Sequence, residues 1–183
     1  CRLEEFNAHP LPAKVEWLGC TDYVLQSILE QNFGHKAHSP LRVVFGLPSR
    51  LDRTARFFAD DNYLFIADEH EHAEVAAVLQ REGTLLRVES LHGEGGAARA
   101  LECLRQRGVN QVLLEGGATL AGAFHDAGLV DRMLAFIAPK IAGAGIPVIS
   151  GRNLDTMADA AQWQTAGCCL LGGDVLYCAD KRR

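Results

Sequence analysis

The sequence predicts one α/β domain with a mostly parallel sheet, helices on both faces of that sheet and an antiparallel hairpin at the C-terminal end. Two observations predict this fold class. From residue 41 onward, short apolar segments alternate with amphipathic helical segments, as in proteins built around parallel sheets. Near the end, the apolar runs 162–171 and 174–178 are joined at Gly172-Gly173, which is a hairpin signal. We expect this hairpin to add antiparallel strands at one edge of the parallel sheet.

The elements of this alternation follow one another along the chain. Three helical segments end near Gly83, Gly108 and Gly128, and glycine is strongly favoured just after a helix. The predicted strands cover residues 41–45, 62–67, 84–88, 111–114 and 131–138, and the predicted helices cover residues 71–81, 95–107 and 117–127.

Residues 1–40 have a different character. Prolines and glycines interrupt them, and helical spacing is confined to residues 21–32. We therefore expect residues 1–40 to be a connecting segment or insertion with one helix, and residues 41–183 to form the main domain. Because the chain opens with Cys1-Arg2-Leu3 rather than Met, we expect a piece of a longer protein.

The composition argues against several classes of protein. The 183 residues are 48% hydrophobic and 22% charged, which is typical of a globular chain and not of a disordered one. A formal net charge of −5 predicts no basic face for nucleic acid, and no apolar run reaches the roughly 18 residues of a membrane span. The six cysteines form no C-x-x-C pair, so we expect reduced thiols, no metal site and a cytoplasmic location.

The segment most informative about function starts at the strand predicted over residues 111–114. This apolar strand ends in Glu115, which places a carboxylate where open α/β sheets bind ligands. Two glycines follow and let a backbone approach a ligand without a Cβ. A helix of small residues then begins, and its first N–H groups and positive dipole end suit an anion. The candidate anion-binding residues are Gly116, Gly117, Ala118, Thr119 and Leu120.

The same pattern has a purely structural interpretation, in which Gly116-Gly117 form a tight turn between a strand and a helix. If the segment binds an anion, Thr119 adds a hydroxyl donor. In both interpretations, the small residues 121–123 let the helix pack close to the sheet. The segment contains neither a G-x-G-x-x-G fingerprint nor a P-loop. Both interpretations stay open at this point.

Residues 113–145, LLEGGATLAGAFHDAGLVDRMLAFIAPKIAGAG, resemble the reductase domain of the bifunctional riboflavin-biosynthesis deaminase/reductase. That family has Glu-Gly-Gly after a strand, a helix reading T-L-A-G-A, and then G-L-V-D and I-A-P-K. This chain carries these motifs at residues 115–117, 119–123, 128–131 and 137–140, and a matching G-D-V at residues 173–175. The resemblance extends over residues 41–178.

The resemblance implies a dihydrofolate-reductase-like, three-layer fold and an NADPH-dependent reaction. The reaction reduces the ribosyl group of 5-amino-6-(5-phosphoribosylamino)uracil to ribityl by hydride transfer to the sugar C1′. The resemblance also implies that Glu115 binds substrate, that residues 116–123 bind NADPH and that the protein is a homodimer. The expected partner is a small-molecule substrate, with no nucleic acid and no membrane.

Other parts of the family pattern match this chain less directly. If Cys1-Arg2 ends the family's D-D-P-x-L-T-x-R segment, Arg2 is its substrate-binding arginine, and the alternative is a solvated terminal arginine. The family's R-V-V-L-D-S strand ends in a serine that contacts the cofactor, where this chain has Leu47. Ser49 or Arg50 could replace that serine near the cofactor's 2′-phosphate. The family's first reductase strand, roughly T-L-K-x-A-x-S-L-D-G, has no match here, so the resemblance implies that the domain at residues 41–183 is incomplete at its N-terminal end.

The tripeptide at residues 72–74, H-A-E, matches the first half of the zinc-deaminase signature. No P-C-x-x-C follows, so we interpret His70, Glu71, His72 and Glu74 as the solvated surface of a helix. Two further functions stay open beside the riboflavin reductase. One is a reductase of the same fold acting on a pterin-like heterocycle, and the other is a non-catalytic nucleotide-binding module.

Overall fold

The computed structural model describes residues 16–18, 40–151 and 156–182. The chain divides into two compact units, of which residues 11–117 form one and residues 118–183 belong to the other. The strands are β1 (Glu16–Leu18), β2 (Arg42–Phe45), β3 (Tyr63–Ala67), β4 (Leu85–Arg87), β5 (Val112–Leu114), β6 (Arg132–Ile137), β7 (Trp163–Leu171) and β8 (Asp174–Lys181). The helices are α1 (Ala73–Glu82), α2 (Gly96–Gln106) and α3 (Ala118–Asp126).

The first unit contains a five-stranded parallel sheet in the order β4-β3-β2-β1-β5. β3 is buried along its whole length, as expected for a parallel strand with both faces covered. β1 lies between β2 and β5, where Leu18 is in register with Val43 on one side and Leu114 on the other. The sequence analysis did not predict β1, which falls within residues 1–40. The helix predicted over residues 21–32 lies outside the described residues.

One face of β3 and one face of α1 share an apolar core. Alternate residues of a strand point to the same face, and residues four apart lie on one side of a helix. The buried members of this core are Leu47, Tyr63, Phe65, Ala67, Val75, Ala76, Leu79 and Leu85. Leu79 has no exposed surface, and its burial stabilises the unit by about 1.5–3 kcal/mol. The core therefore fixes α1 against the sheet and holds the loop after β2 through Leu47.

The second unit contains α3 and a three-stranded antiparallel sheet in the order β6-β8-β7. The hairpin predicted at Gly172-Gly173 is confirmed, because Leu171 is in register with Asp174 across the turn. β6 joins this hairpin by pairing antiparallel with β8. The sequence analysis expected the hairpin to extend the edge of the parallel sheet. In the part of the chain that the structure describes, backbone pairing instead places it in a sheet of its own.

The ends of the helices agree with the sequence prediction. Gly83, Gly108 and Gly128 have φ values of +72°, +82° and +69°, and glycine adopts this left-handed conformation with little strain. The longest described helix, α2, has 11 residues. Within the described ranges, no helix combines the length and the apolar character needed to cross a membrane.

Candidate functional site

Glu115 comes directly after β5, at one edge of the first unit's sheet. Because the five strands are parallel, their carboxyl ends meet along one side of the sheet, and open α/β sheets bind ligands along that side. Gly46 after β2 and Asp68 after β3 lie along the same side. Glu115 is half-buried. The structure thus places this carboxylate at the strand-end position that the sequence predicts, and its role in substrate binding stays a prediction.

Gly116 and Gly117 complete the first unit. Gly116 is half-buried, and Gly117 is exposed. A Cβ added to Gly117 would meet no atom within 4 Å. The backbone at Gly117 is therefore open to the surroundings, as a backbone that approaches a ligand has to be.

Residues 118–123 form the first turns of α3, in the second unit. They present a mixed surface: Thr119 and Ala123 are exposed, Gly122 is buried, and Ala118, Leu120 and Ala121 are half-buried. The first N–H groups of any helix have no partner within the helix, and they lie at its positive dipole end. The start of α3 therefore offers both backbone donors and an exposed hydroxyl to an anion.

Gly122 has a neighbour that the sequence did not reveal. A Cβ at this position would lie 1.6 Å from the carbonyl oxygen of Ser150, in the irregular segment that follows β6. The backbone N–H of Ser150 donates a hydrogen bond to the carbonyl oxygen of Ala118, at 2.9 Å. The sequence analysis attributed residues 121–123 to close packing on a sheet. For Gly122 the close contact is with the backbone of Ser150.

His125 lies near the end of α3 and is largely covered. Its side chain is 21% exposed, and its ring stacks on Trp163 with 6.3 Å between ring centroids. Its Nδ1 atom is 3.2 Å from Oδ1 of Asp126. These contacts give His125 a structural role within the second unit.

Leu47 occupies the position at which the family pattern has a serine that contacts the cofactor. It is 7% exposed and belongs to the apolar core between β3 and α1. Its side chain cannot replace the hydroxyl of that serine. Ser49 and Arg50, which the sequence analysis named as substitutes, are both exposed in the loop that follows.

The acidic and histidine residues around the start of α1 differ in their burial. His70, His72 and Glu74 are exposed, as the sequence predicts. Glu71 is half-buried, and its Oε1 atom accepts a hydrogen bond from the N–H of Leu47, at 2.8 Å. The prediction was wrong for Glu71 because α1 begins at Ala73, so Glu71 precedes the helix and turns inward.

The sequence analysis also missed a cluster that includes Glu71. One ligand atom each from Asp68, Glu71 and His92 lie within 4.8 Å of one another. The signal for it was present in part, because Asp68 directly follows a buried strand and His92 lies in the loop after the neighbouring strand β4. Arg2, the other predicted substrate-binding residue, lies outside the described residues.

Comparison with known proteins adds a family match and two curated relatives. The RibD C-terminal domain family matches residues 18–177. The riboflavin biosynthesis protein RibD of Mycobacterium tuberculosis is 40% identical over 65 residues, which are 36% of this chain and 19% of that protein. The 2,5-diamino-6-ribosylamino-4(3H)-pyrimidinone 5′-phosphate reductase of Methanothermobacter thermautotrophicus is 36% identical over 78 residues, or 42% of this chain and 36% of that protein. The matches thus span about a fifth to a third of these relatives.

Solved structures show the same fold. Acinetobacter baumannii RibD superimposes with a TM-score of 0.62 and 19% sequence identity, over 93% of this chain and 47% of that one. The chain therefore has the dihydrofolate-reductase-like α/β fold that the motifs at residues 113–145 imply.

Proposed function

Because the chain belongs to the RibD C-terminal domain family, we propose that it is the reductase portion of a riboflavin-biosynthesis enzyme. The proposed reaction is the NADPH-dependent reduction of the ribosyl group of 5-amino-6-(5-phosphoribosylamino)uracil to ribityl. The observation that carries the proposal is the extent of the family match, which includes β2 to β5, Glu115 and all of α3. The name of the Methanothermobacter thermautotrophicus relative supports a reductase acting on a phosphorylated ribosylamino-pyrimidine.

The proposed chemistry requires the protein to orient two ligands. NADPH held by residues 116–123 would supply the hydride that adds to the sugar C1′ as the C1′–O4′ bond breaks and O4′ takes up a proton. The protein's own contribution is to hold the substrate so that C1′ faces the hydride donor, since positioning accounts for much of the rate of such a step. A carboxylate such as Glu115 accepts hydrogen bonds from hydroxyl and N–H groups, and a phosphoribosylamino-pyrimidine carries both.

Cofactor binding is assigned to residues 116–123 in this proposal. The open space beside Gly117, the exposed Thr119 and the helix N-terminus at Ala118 all support it. Backbone N–H groups at a helix start bind phosphate groups well because no partner within the helix competes for them. The proposal includes NADPH in preference to NADH, Arg2 as a second substrate contact, a homodimer and a cytoplasmic location.

A cofactor titration of the intact chain, together with Glu115→Gln, tests the proposal. Calorimetry should give tighter binding of NADPH than of NADH. Glu115→Gln should reduce substrate affinity or turnover roughly 10- to 100-fold, the expected cost of a lost charged hydrogen bond, and should leave NADPH affinity within about twofold. Equal losses of substrate and NADPH binding would remove Glu115 from the substrate role.

The same experiment separates the alternatives. Turnover of a pterin-like substrate, with no turnover of the phosphoribosylamino-pyrimidine, would favour the second kind of reductase. NADPH binding without turnover of either substrate would favour a nucleotide-binding module. If a folded sample binds neither nicotinamide cofactor, the proposal is wrong for this chain.

A further inference from the structure

Asp68, Glu71 and His92 form a mixed cluster of carboxylates and imidazole at the carboxyl ends of β3 and β4, in the first unit. The Nε2 atom of His92 is 3.8 Å from Oδ2 of Asp68 and 3.9 Å from Oε2 of Glu71. The side chains of Glu71 and Asp68 are 21% and 28% exposed, whereas that of His92 is 65% exposed. The cluster thus has a covered carboxylate side and an open imidazole side.

Backbone N–H groups orient both carboxylates. Oε1 of Glu71 accepts the N–H of Leu47 at 2.8 Å, and Oδ1 of Asp68 accepts the N–H of Leu91. Each carboxylate therefore uses one oxygen to fix its orientation and turns the other oxygen toward His92. Such fixing of ligand groups by a second layer of hydrogen bonds is typical of metal sites.

The spacing between these atoms suits a cation better than direct hydrogen bonds. At 3.8 and 3.9 Å, Nε2 of His92 is beyond hydrogen-bond distance of both carboxylate oxygens. Ligand atoms that bind Zn²⁺ at about 2.0–2.2 Å in tetrahedral geometry lie roughly 3.3–3.6 Å apart. A shift of a few tenths of an ångström would therefore bring His92 into this geometry with either carboxylate.

A second observation points to a missing ligand on the covered side. Oε2 of Glu71 is buried, and it has no hydrogen-bond partner among the described residues. Removing a carboxylate oxygen from water without a compensating partner is costly. A cation bound between Glu71, Asp68 and His92 would supply the partner that this oxygen lacks.

We propose that Oδ2 of Asp68, Oε2 of Glu71 and Nε2 of His92 bind a divalent transition-metal cation such as Zn²⁺. An imidazole ligand disfavours Mg²⁺ and Ca²⁺, which prefer oxygen ligands throughout. Water completes the coordination on the open side, next to His92. The cation joins the segment between β3 and α1 to the loop after β4, and its function is to stabilise the carboxyl end of the sheet. It takes no part in the proposed reduction.

This site is tested by measuring metal binding to the protein. Any tag is removed first, and the protein is dialysed against a chelator. Calorimetry with Zn²⁺ should give one site that is lost or weakened at least about tenfold in His92→Ala. Because His92 is largely exposed, this variant should fold normally. Glu71→Gln and Asp68→Asn each keep an oxygen that can accept the N–H of Leu47 or Leu91, and each should also weaken binding. His70→Ala removes an exposed histidine from the segment between β3 and α1, which also carries Asp68 and Glu71. It is the matched control for His92→Ala and should bind Zn²⁺ as the unmodified protein does.

Two further measurements separate this site from other zinc ligands. Co²⁺ bound at the proposed site should show no thiolate-to-cobalt absorption band. The absence of this band would exclude the cysteines as metal ligands. Zn²⁺ at about a hundredfold excess over its Kd should raise the melting temperature by roughly 5–10 °C in the unmodified protein, and much less in His92→Ala. Binding that survives His92→Ala, that weakens equally in His70→Ala, or that a tenfold excess of Mg²⁺ displaces would overturn the proposal.

Discussion

Gly122 and Ser150 approach each other backbone to backbone, so closely that a Cβ on Gly122 would lie 1.6 Å from the carbonyl oxygen of Ser150. The N–H of Ser150 is hydrogen-bonded to the carbonyl oxygen of Ala118, one turn earlier in α3. These two contacts hold the segment after β6 along the first turns of α3. The helix start that we propose to bind the cofactor is therefore fixed from within its own unit.

Gly122→Ala should destabilise the protein, because neither backbone can accommodate a methyl group at this distance. Overpacking of this kind costs about 1–3 kcal/mol, and the higher helix propensity of alanine offsets up to about 1 kcal/mol of that. Urea denaturation measures the change in the free energy of unfolding. Gly117→Ala, in open space, is the control and should stay within about 0.5 kcal/mol of the unmodified protein. Equal stabilities of the two variants would contradict the close contact.

Gly117→Val tests the cofactor assignment without disturbing the fold. A Cβ at Gly117 meets no protein atom within 4 Å, and Gly117 is not among the residues with positive φ, so we expect the variant to be as stable as the unmodified protein. NADPH affinity should fall about tenfold or more, because the branched side chain occupies the space into which the phosphates would fit. Gly173→Val, at an equally open glycine of the β7–β8 hairpin, should bind NADPH normally. Unchanged affinity in Gly117→Val would end the assignment of residues 116–123 to the cofactor.

Most elements after residue 40 could be predicted because their signal is local. The strand predicted over 62–67 starts one residue before β3 and ends with it. The helix predicted over 95–107 extends one residue beyond α2 at both ends. β1 could not be predicted in this way. Its three residues, Glu-Trp-Leu, do not form the apolar run that marks the equally short β5, and its pairing with β2 and β5 defines it.

The same distinction between local and long-range signals applies to the candidate site. Glu115 and the start of α3 could be predicted, because a strand end, two glycines and a helix follow one another in the sequence. The contact between Leu47 and Glu71 spans 24 residues and depends on the order of the strands, which local patterns do not contain. The cluster with His92 depends on the same strand order, since it requires β3 and β4 to be neighbours.

The ion pair between Arg42 and Asp60 should make stability depend on acid pH. The hydrogen bond from Arg42, at 2.5 Å, and a second one from the N–H of Asn62 lower the pKa of Asp60 in the folded protein. A carboxyl whose pKa is lower in the folded than in the unfolded state stabilises the fold above its unfolded pKa of about 3.9, and this contribution is lost as the pH falls through the folded pKa.

Asp60→Asn should therefore lower the free energy of unfolding at pH 7 and make less difference in acid. The expected loss at pH 7 is about 0.5–1 kcal/mol, since Asp60 is half exposed and solvent screens the pair. Denaturation of both proteins between pH 7 and pH 2 measures how the difference changes. Asp61→Asn, at the exposed neighbouring carboxylate, controls for the loss of one negative charge. A difference that stays constant down to pH 2 would show that the pair does not lower the pKa of Asp60.

Cys168 and Cys178 should differ in their reaction with an alkylating agent. Cys168, on β7, is exposed, whereas Cys178, on β8, is 2% exposed, and burial raises the pKa of its thiol. The thiolate is the reacting form, so a raised pKa and a covered sulfur both slow the reaction of Cys178. Iodoacetamide at pH 8 should modify Cys168 well before Cys178 in the folded protein, and fragment-ion mass spectrometry distinguishes the two sites. In denaturant both should react at similar rates, which serves as the control. Early modification of Cys178 under native conditions would mean that β8 opens more readily than its burial in the antiparallel sheet implies.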